Sequence, residues 1–198
     1  MNRFEELDEM LHDCWHLLVK AAIKRKGDYQ TPVIGTLGEG QAELRTVVLR
    51  EVDMPGRKLI FFTDARSAKT RQLQQSPRLS WLFWDARKKV QMRMYGKVEC
   101  HRTDQVCRQY WEKLPVQGRK SYASTLAPGS PVDTDTTGLP NHWSDNMELE
   151  DTEYAFDHFM VVVCQVGQVE LLHLHQEGHQ RAAYHWKNSG WDGQWVIP

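Results

Sequence analysis

Punctuation constrains this chain more than any other feature. Apolar runs of strand length recur, and most of them end in a turn too short to hold a crossover helix. Gly38-Glu39-Gly40 divides "TPVIGTLGEGQAELRTVVLREVD" into two strands. "MPGRK" (54–58) leads into "LIFFTD", and Asp85-Ala86-Arg87-Lys88 joins "RLSWLFWD" to "KVQMRMYGKVECHR". Gly190 to Gly193 make the last turn, after "FMVVVCQVGQVELLHL" and "RAAYHW" and before the end of the chain. Parallel neighbours need a connection of a dozen residues or more, so consecutive strands here are expected to pair antiparallel. Alternation supports this: Val90, Met92 and Met94 share one face of a strand, and Gln91, Arg93 and Tyr95 the other. The reading is mainly β with flanking helices, closed or partly closed into a barrel. A dinucleotide fold is excluded, because "GTLGEG" is not GxGxxG and sits in a hairpin.

Three helices are expected around this sheet. Leu7, Leu11, Cys14, Leu18 and Ala21 fall at helical spacing within residues 4–25. A second helix starts near Ser67 and stops before Pro77; a third is capped by Thr103, with Val106, Cys107, Tyr110 and Leu114 on one face. Residues 128–153, rich in Pro, Gly, Asp and Thr, read as a long flexible loop within one domain spanning 1–198.

With 25 Lys and Arg against 26 Asp and Glu, the net charge of −1 gives no general attraction to nucleic acid. Twenty-two of those 25 cations lie between Lys20 and Lys120, but they are interleaved with acids, so a nucleic-acid partner is not expected. Neither is a membrane, since no apolar run approaches a spanning length. Cys14, Cys100, Cys107 and Cys164 form no CxxC pair and no secretory signal precedes them, which reads as reduced thiols in the cytoplasm.

"FFTDARSAKTRQLQQSPR" (61–78) poses an electrostatic puzzle. The start of a helix is its positive pole and favours anions, yet Arg66, Lys69 and Arg71 gather there. A bound phosphate reconciles the two, taking the free N–H groups, the Ser67 hydroxyl and the Lys69 charge; the alternative is that the cations point to water. In "RTVVLR" (45–50), Arg45 and Arg50 fall on opposite faces of a regular strand, so one of them faces a site or an interface, or both snorkel from strand ends. Gln91 can serve the polar edge of a flat heterocycle or simply face solvent. Arg181 is the first cation after Lys120 and is a candidate for an anion or a ring. His173 and His175 share a strand face, but no third ligand has a recognisable spacing and no metal site is expected. No GxSxG elbow is present.

Taken in order, "RTVVLR", "FFTDARSAK", "SPR", "VQMRMYG" and the terminal "IP" resemble the pyridoxamine 5′-phosphate oxidase-related, FMN-binding split β-barrel family, in its shorter branch of unassigned substrate. The resemblance covers about residues 28–127 and 157–198. It implies an antiparallel split β-barrel and a homodimer with FMN at the subunit interface. It further implies that Arg45, Thr46, Val47 and Val48 border the flavin, that Phe62 and Thr63 meet its ribityl-phosphate side, and that Ser67 and Lys69 lie at the phosphate. Gln91 would hydrogen-bond the flavin and Arg181 would reach it from the C-terminal strands, with Arg50, Tyr110 and His179 on the substrate side. The chain departs from the vitamin enzyme's pattern at Ala68, Leu114, Gly118, Leu172 and Glu177-Gly178. These departures argue for an FMN-dependent oxidoreductase with another substrate; the alternative is a non-catalytic flavin-binding sensor or storage module.

Overall fold

Leu11, Cys14, Leu18 and Ala21 do form one buried stripe, on helix α1 (Leu7–Lys24). The computed structural model describes residues 6–198, so residues 4 and 5 of the expected helix lie outside the described residues. Arg25 closes α1 in the left-handed region at φ 51°, its N–H bonding the carbonyl of Ala21.

Nine strands follow: β1 (Val33–Leu37), β2 (Ala42–Thr46), β3 (Glu51–Asp53), β4 (Lys58–Asp64), β5 (Arg78–Asp85), β6 (Val90–His101), β7 (Phe159–His173), β8 (Gln180–Lys187) and β9 (Gly190–Val196). Between them lie α2 (Ala68–Gln75), α3 (Gln105–Trp111), α4 (Val116–Arg119) and the 3₁₀ segments Lys120–Tyr122 and Glu150–His158. Every strand pairing is antiparallel, in the order β2-β1-β5-β6-β7-β4-β3, with β8 also on β7 and β9 on β8. Strand β7 organises the sheet. Along one edge it pairs with β6 over nearly its full length; along the other, Phe159–Gln165 take β4 and Gln168–His173 take β8. The sheet therefore forks near Val166, which splits the barrel.

A bulge between Tyr95 and Gly96 lets β6 stay paired with β7 across the fork. Gly96 is required there: a Cβ would stand 2.4 Å from the carbonyl oxygen of Gln165.

Alternation along β4 and the first half of β7 feeds two cores. Leu59, Phe61, Met160 and Val162 join the barrel interior with Trp81, Phe83 and α1. Ile60, Phe159 and Val161 face a second core with Cys107, Trp111 and Phe156. Arg119 clamps this second layer. Although only 2% exposed, it donates to the carbonyls of Trp111, Leu114 and Leu149, to Thr152 and to Glu153.

Three local expectations need correction. The last turn is Asn188-Ser189, at φ 49° and 66°, and Gly190 to Gly193 lie within β9. "RTVVLR" is not one regular strand: β2 ends at Thr46, after which Val47 and Leu49 donate to Pro32 and Gln30, and Arg50 donates to Ile60 of β4. The segment changes partners, so odd spacing does not assign the faces of Arg45 and Arg50. The cap of α3 is Asp104, whose carboxylate accepts from the Cys107 N–H at 2.9 Å, while Thr103 sits at φ 56° before it. The expected loop 128–153 is irregular as far as Leu149; its last residues open the 3₁₀ segment Glu150–His158.

Candidate functional site

The puzzle at the start of α2 resolves residue by residue. Arg66 is neutralised: its Nε and Nη2 reach the two oxygens of Asp64 at 3.0 and 2.7 Å, and Nη2 also donates to the Ser124 carbonyl. Arg71 is exposed. Lys69 is different. Its Nζ turns back over the N-terminus of α2 to Thr63 Oγ1 at 2.9 Å and Ser67 Oγ at 3.2 Å. Among the described residues no carboxylate lies within ion-pair distance of it.

Arg45 approaches from the edge strand β2. It donates to Thr36 Oγ1, to the Glu43 carbonyl and to Gln72 Oε1 of α2, with the Glu43 carboxylate 3.6 Å away. Burial, then the charge of Arg45, pull the Lys69 ammonium below the ordinary lysine range; Asp64 opposes them. The Lys69 ammonium and the hydroxyls of Thr63 and Ser67 thus meet at a helix start, while Arg45 is held further along α2 by Gln72 and influences the lysine through its charge. This donor set fits a phosphate. Val47 and Val48 are half-buried on the irregular segment beside it, Val47 packing on the barrel core, and Thr46 is exposed.

Phe62 points the other way. It follows Phe61 and precedes Thr63, so the pleat turns its ring to the second core, 5.2 Å from Tyr110 and 5.1 Å from Phe159. The Arg50 guanidinium lies 5.5 Å from its centroid, and the Tyr110 hydroxyl donates to Glu51 at 3.0 Å. Burial first, then Glu51, push the Tyr110 hydroxyl well above the ordinary tyrosine range. Arg50 and Tyr110 therefore converge, on the far face of β4 from the Lys69 cluster.

Gln91 and Arg181 also converge, elsewhere. They line a pocket of about 220 Å³ on the outer face of the sheet with Arg93, Glu170 and Leu172. Arg181 is not an unpaired cation there: it donates to Glu170 Oε2 at 2.7 Å, and Arg93 donates to the same oxygen. Burial works against the Glu170 carboxylate, but the hydrogen bonds from Arg181 and Arg93 hold it below the ordinary range. His179 lies by a neighbouring hollow with Trp84, Lys89 and His175.

The predicted residues thus form two half-sites. Thr63 pairs with Met160 at one end of β7 and Gln91 with Leu172 near the other, twelve residues further on. At about 3.3 Å per residue that is roughly 40 Å of strand. One holds Arg45, Thr63, Ser67 and Lys69 with Arg50 and Tyr110 behind; the other holds Gln91, Arg181 and His179. Sequence reasoning missed Thr36 and Gln72, which buttress Arg45, and the Arg93–Glu170 pair. The alternation that put Arg93 on the face of Gln91 was the one available signal; its partner 77 residues away had none.

The family described as pyridoxamine 5′-phosphate oxidase, FMN-binding domain, matches residues 12–102. A pyridoxine/pyridoxamine 5′-phosphate oxidase of Aeromonas hydrophila is 34% identical over 100 residues, 50% of this chain and 46% of that protein. One of Thermosynechococcus vestitus is 40% identical over 67 residues, 33% of this chain and 31% of that protein. These matches thus span less than half of either relative's length. Among solved structures, a pyridoxamine 5′-phosphate oxidase-related, FMN-binding protein of Nostoc punctiforme superposes with TM-score 0.71 at 20% identity, over 100% of both chains. PhzG of Burkholderia lata, solved with tetrahydrophenazine-1-carboxylic acid, gives 0.69 at 15% identity, over 100% of this chain and 98% of that one. Both likenesses are of fold.

Proposed function

We propose, from the match of residues 12–102 to the pyridoxamine 5′-phosphate oxidase FMN-binding domain and the shared fold, that the chain is a homodimeric FMN-dependent oxidoreductase of a substrate other than pyridoxamine phosphate. The observation that carries this reading is the cluster at Lys69: an ammonium on two hydroxyls at a helix start, with no acid on the lysine and the Arg45 guanidinium held on the same helix at Gln72. Ser67, Lys69, Thr63 and Arg45 of one copy would hold the flavin phosphate, beside Thr46, Val47 and Val48. Gln91 and Arg181 of the second copy would meet the ring. Phe62 would contribute through its backbone, since its ring serves the other face of β4. Arg50 and Tyr110 of the first copy, with His179 of the second, would line the substrate side.

Two further observations support a second copy. Each half-site lacks the other's residues. The outer face that carries Gln91 also exposes Leu44, Leu82 and Trp84, at 69%, 38% and 42%. An apolar patch around an unfinished site is what a partner covers.

The flavin, once bound, supplies the redox chemistry; the chain binds it, orients it and shields it from water. The substrate departs from the vitamin precursor because Leu114 packs against the second core and Arg119 is consumed by internal hydrogen bonds. Neither offers a charge to a substrate phosphate.

The test is direct. The protein as isolated, or after addition of FMN, shows the flavin absorption bands, and mass spectrometry of the released chromophore identifies FMN. A protein that stays colourless with added FMN overturns the reading. Anaerobic reduction by NADH or NADPH, followed by reoxidation with an acceptor, identifies an enzyme. Bound but inert flavin points to the storage or sensor alternative.

A further inference from the structure

Glu170 joins two arginines that need no connection merely to line a pocket. Its Oε2 accepts from Arg181 Nη2 at 2.7 Å and from Arg93 Nη2. The sheet register makes this possible: Arg93 is directly opposite Glu170, and Arg181 is opposite Leu172, the next residue of β7 on the same face. Gln91 stands opposite Leu172 from the other side and completes the pocket. Tyr95, next on this face of β6, is also influenced by Glu170, which after burial pushes its hydroxyl upward.

One oxygen shared by two guanidinium groups restrains both. An arginine already held has surrendered its rotamer freedom before any ligand arrives, so less is lost on binding. The charge is set as well. Two guanidinium groups against one carboxylate leave a single positive charge at the pocket. We propose that Glu170 is a positioning residue for the flavin: it holds Arg181 at the ring and, with Arg93, sets the net charge beside it. This rests on the assignment of the Gln91–Arg181 pocket to the flavin ring.

The experiment titrates apoprotein with FMN and measures the midpoint potential of the loaded protein, for wild type, Glu170→Gln, Glu170→Asp and Arg93→Gln. In Glu170→Gln, Arg181 is released and Kd rises about tenfold. The potential moves positive at the same time, because one added positive charge favours the electron-rich reduced flavin. Arg93→Gln moves the potential negative and changes Kd by less than about threefold, since Arg181 keeps its carboxylate. Glu170→Asp retains the wild-type potential. A purely structural role would weaken binding without moving the two potentials in opposite directions. Wild-type Kd and potential in Glu170→Gln overturn the proposal, as do shifts of the same sign in the two variants. Should Glu170→Gln fail to fold, an unchanged potential in Arg93→Gln overturns it equally. If wild type takes no FMN, the underlying reading falls too; wild-type binding with an unaltered Glu170→Gln sinks this inference alone.

Discussion

Lys69 works against the fold until an anion arrives. Burial and Arg45 set its folded pKa below the ordinary 10.5. A lysine lowered in this way destabilises the folded state wherever it is charged. The penalty is present in full below the folded value and fades as pH rises toward 10.5. On the proposed reading, a phosphate bound there would reverse the sign by pairing with the charge. Lys69→Met is therefore expected to leave the apoprotein as stable as wild type or slightly more so at neutral pH. It should abolish the rise in Tm produced by inorganic phosphate, read by thermal melts with and without phosphate. FMN binding should lose about 1.5–3 kcal/mol, on the order of 10- to 100-fold in Kd by fluorescence quenching. At this scale the sequence was legible where local rules suffice. Ser67 and Lys69 stand beside a helix start, and their pairing follows from spacing of two residues. Arg66 looked equivalent and is not, because Asp64, two residues back, was close enough to take it. Resemblance puts Phe62 on the cofactor side, and the pleat of β4 turns its ring to the other face.

Elements depend on contacts that cross the chain. The acidic face of the 3₁₀ segment Glu150–His158 is tied to α3 and α4 through Glu153, which accepts from Arg108 at 2.7 Å, Trp111 at 2.9 Å and Arg119 at 2.7 Å. Burial opposes ionisation of this carboxyl, but hydrogen bonds from Arg108 and Trp111 and the charge of Arg119 hold it below the ordinary 4.5. The stability it contributes is present above 4.5 and disappears as pH falls through the folded value. Acid titration followed by tryptophan fluorescence is expected to show this loss in wild type and not in Glu153→Gln. Arg119→Met removes one of three donors to Glu153 and the side-chain donor to the Leu114 carbonyl, and should cost about 1–3 kcal/mol, seen as a lower urea midpoint at unchanged slope. The bulge makes a second prediction at this scale. Gly96→Val drives a side chain into the Gln165 backbone and should destabilise by about 1–3 kcal/mol or more, with exchange protection lost first along β6 and β7. Strand and helix identities were readable, since period and turn chemistry are local. The end of β2 at Thr46 was not, because it is set by hydrogen bonds to Pro32, Gln30 and Ile60.

At the scale of the whole molecule, on the proposed reading, the flavin site and the dimer stand or fall together. Leu44→Glu with Leu82→Glu charges the exposed outer face without touching the Lys69 cluster. The pair is expected to give a monomer by light scattering and to lose FMN binding with it; a monomeric variant that binds FMN as wild type does would separate the two. Short turns and period-two alternation determined, from sequence alone, that the strands run antiparallel around a common core. The order of motifs likewise carried the resemblance to FMN-binding domains of the pyridoxamine 5′-phosphate oxidase type, which residues 12–102 match. Only the tertiary structure decided that β7 forks between β4 and β8, that the candidate residues divide into two half-sites, and that Glu170 joins Arg93 to Arg181. The reason is physical: turn type and alternation are written within a few residues of where they act, whereas strand register, partner exchange and ion pairs across eleven or seventy-seven residues are settled by packing the whole chain at once.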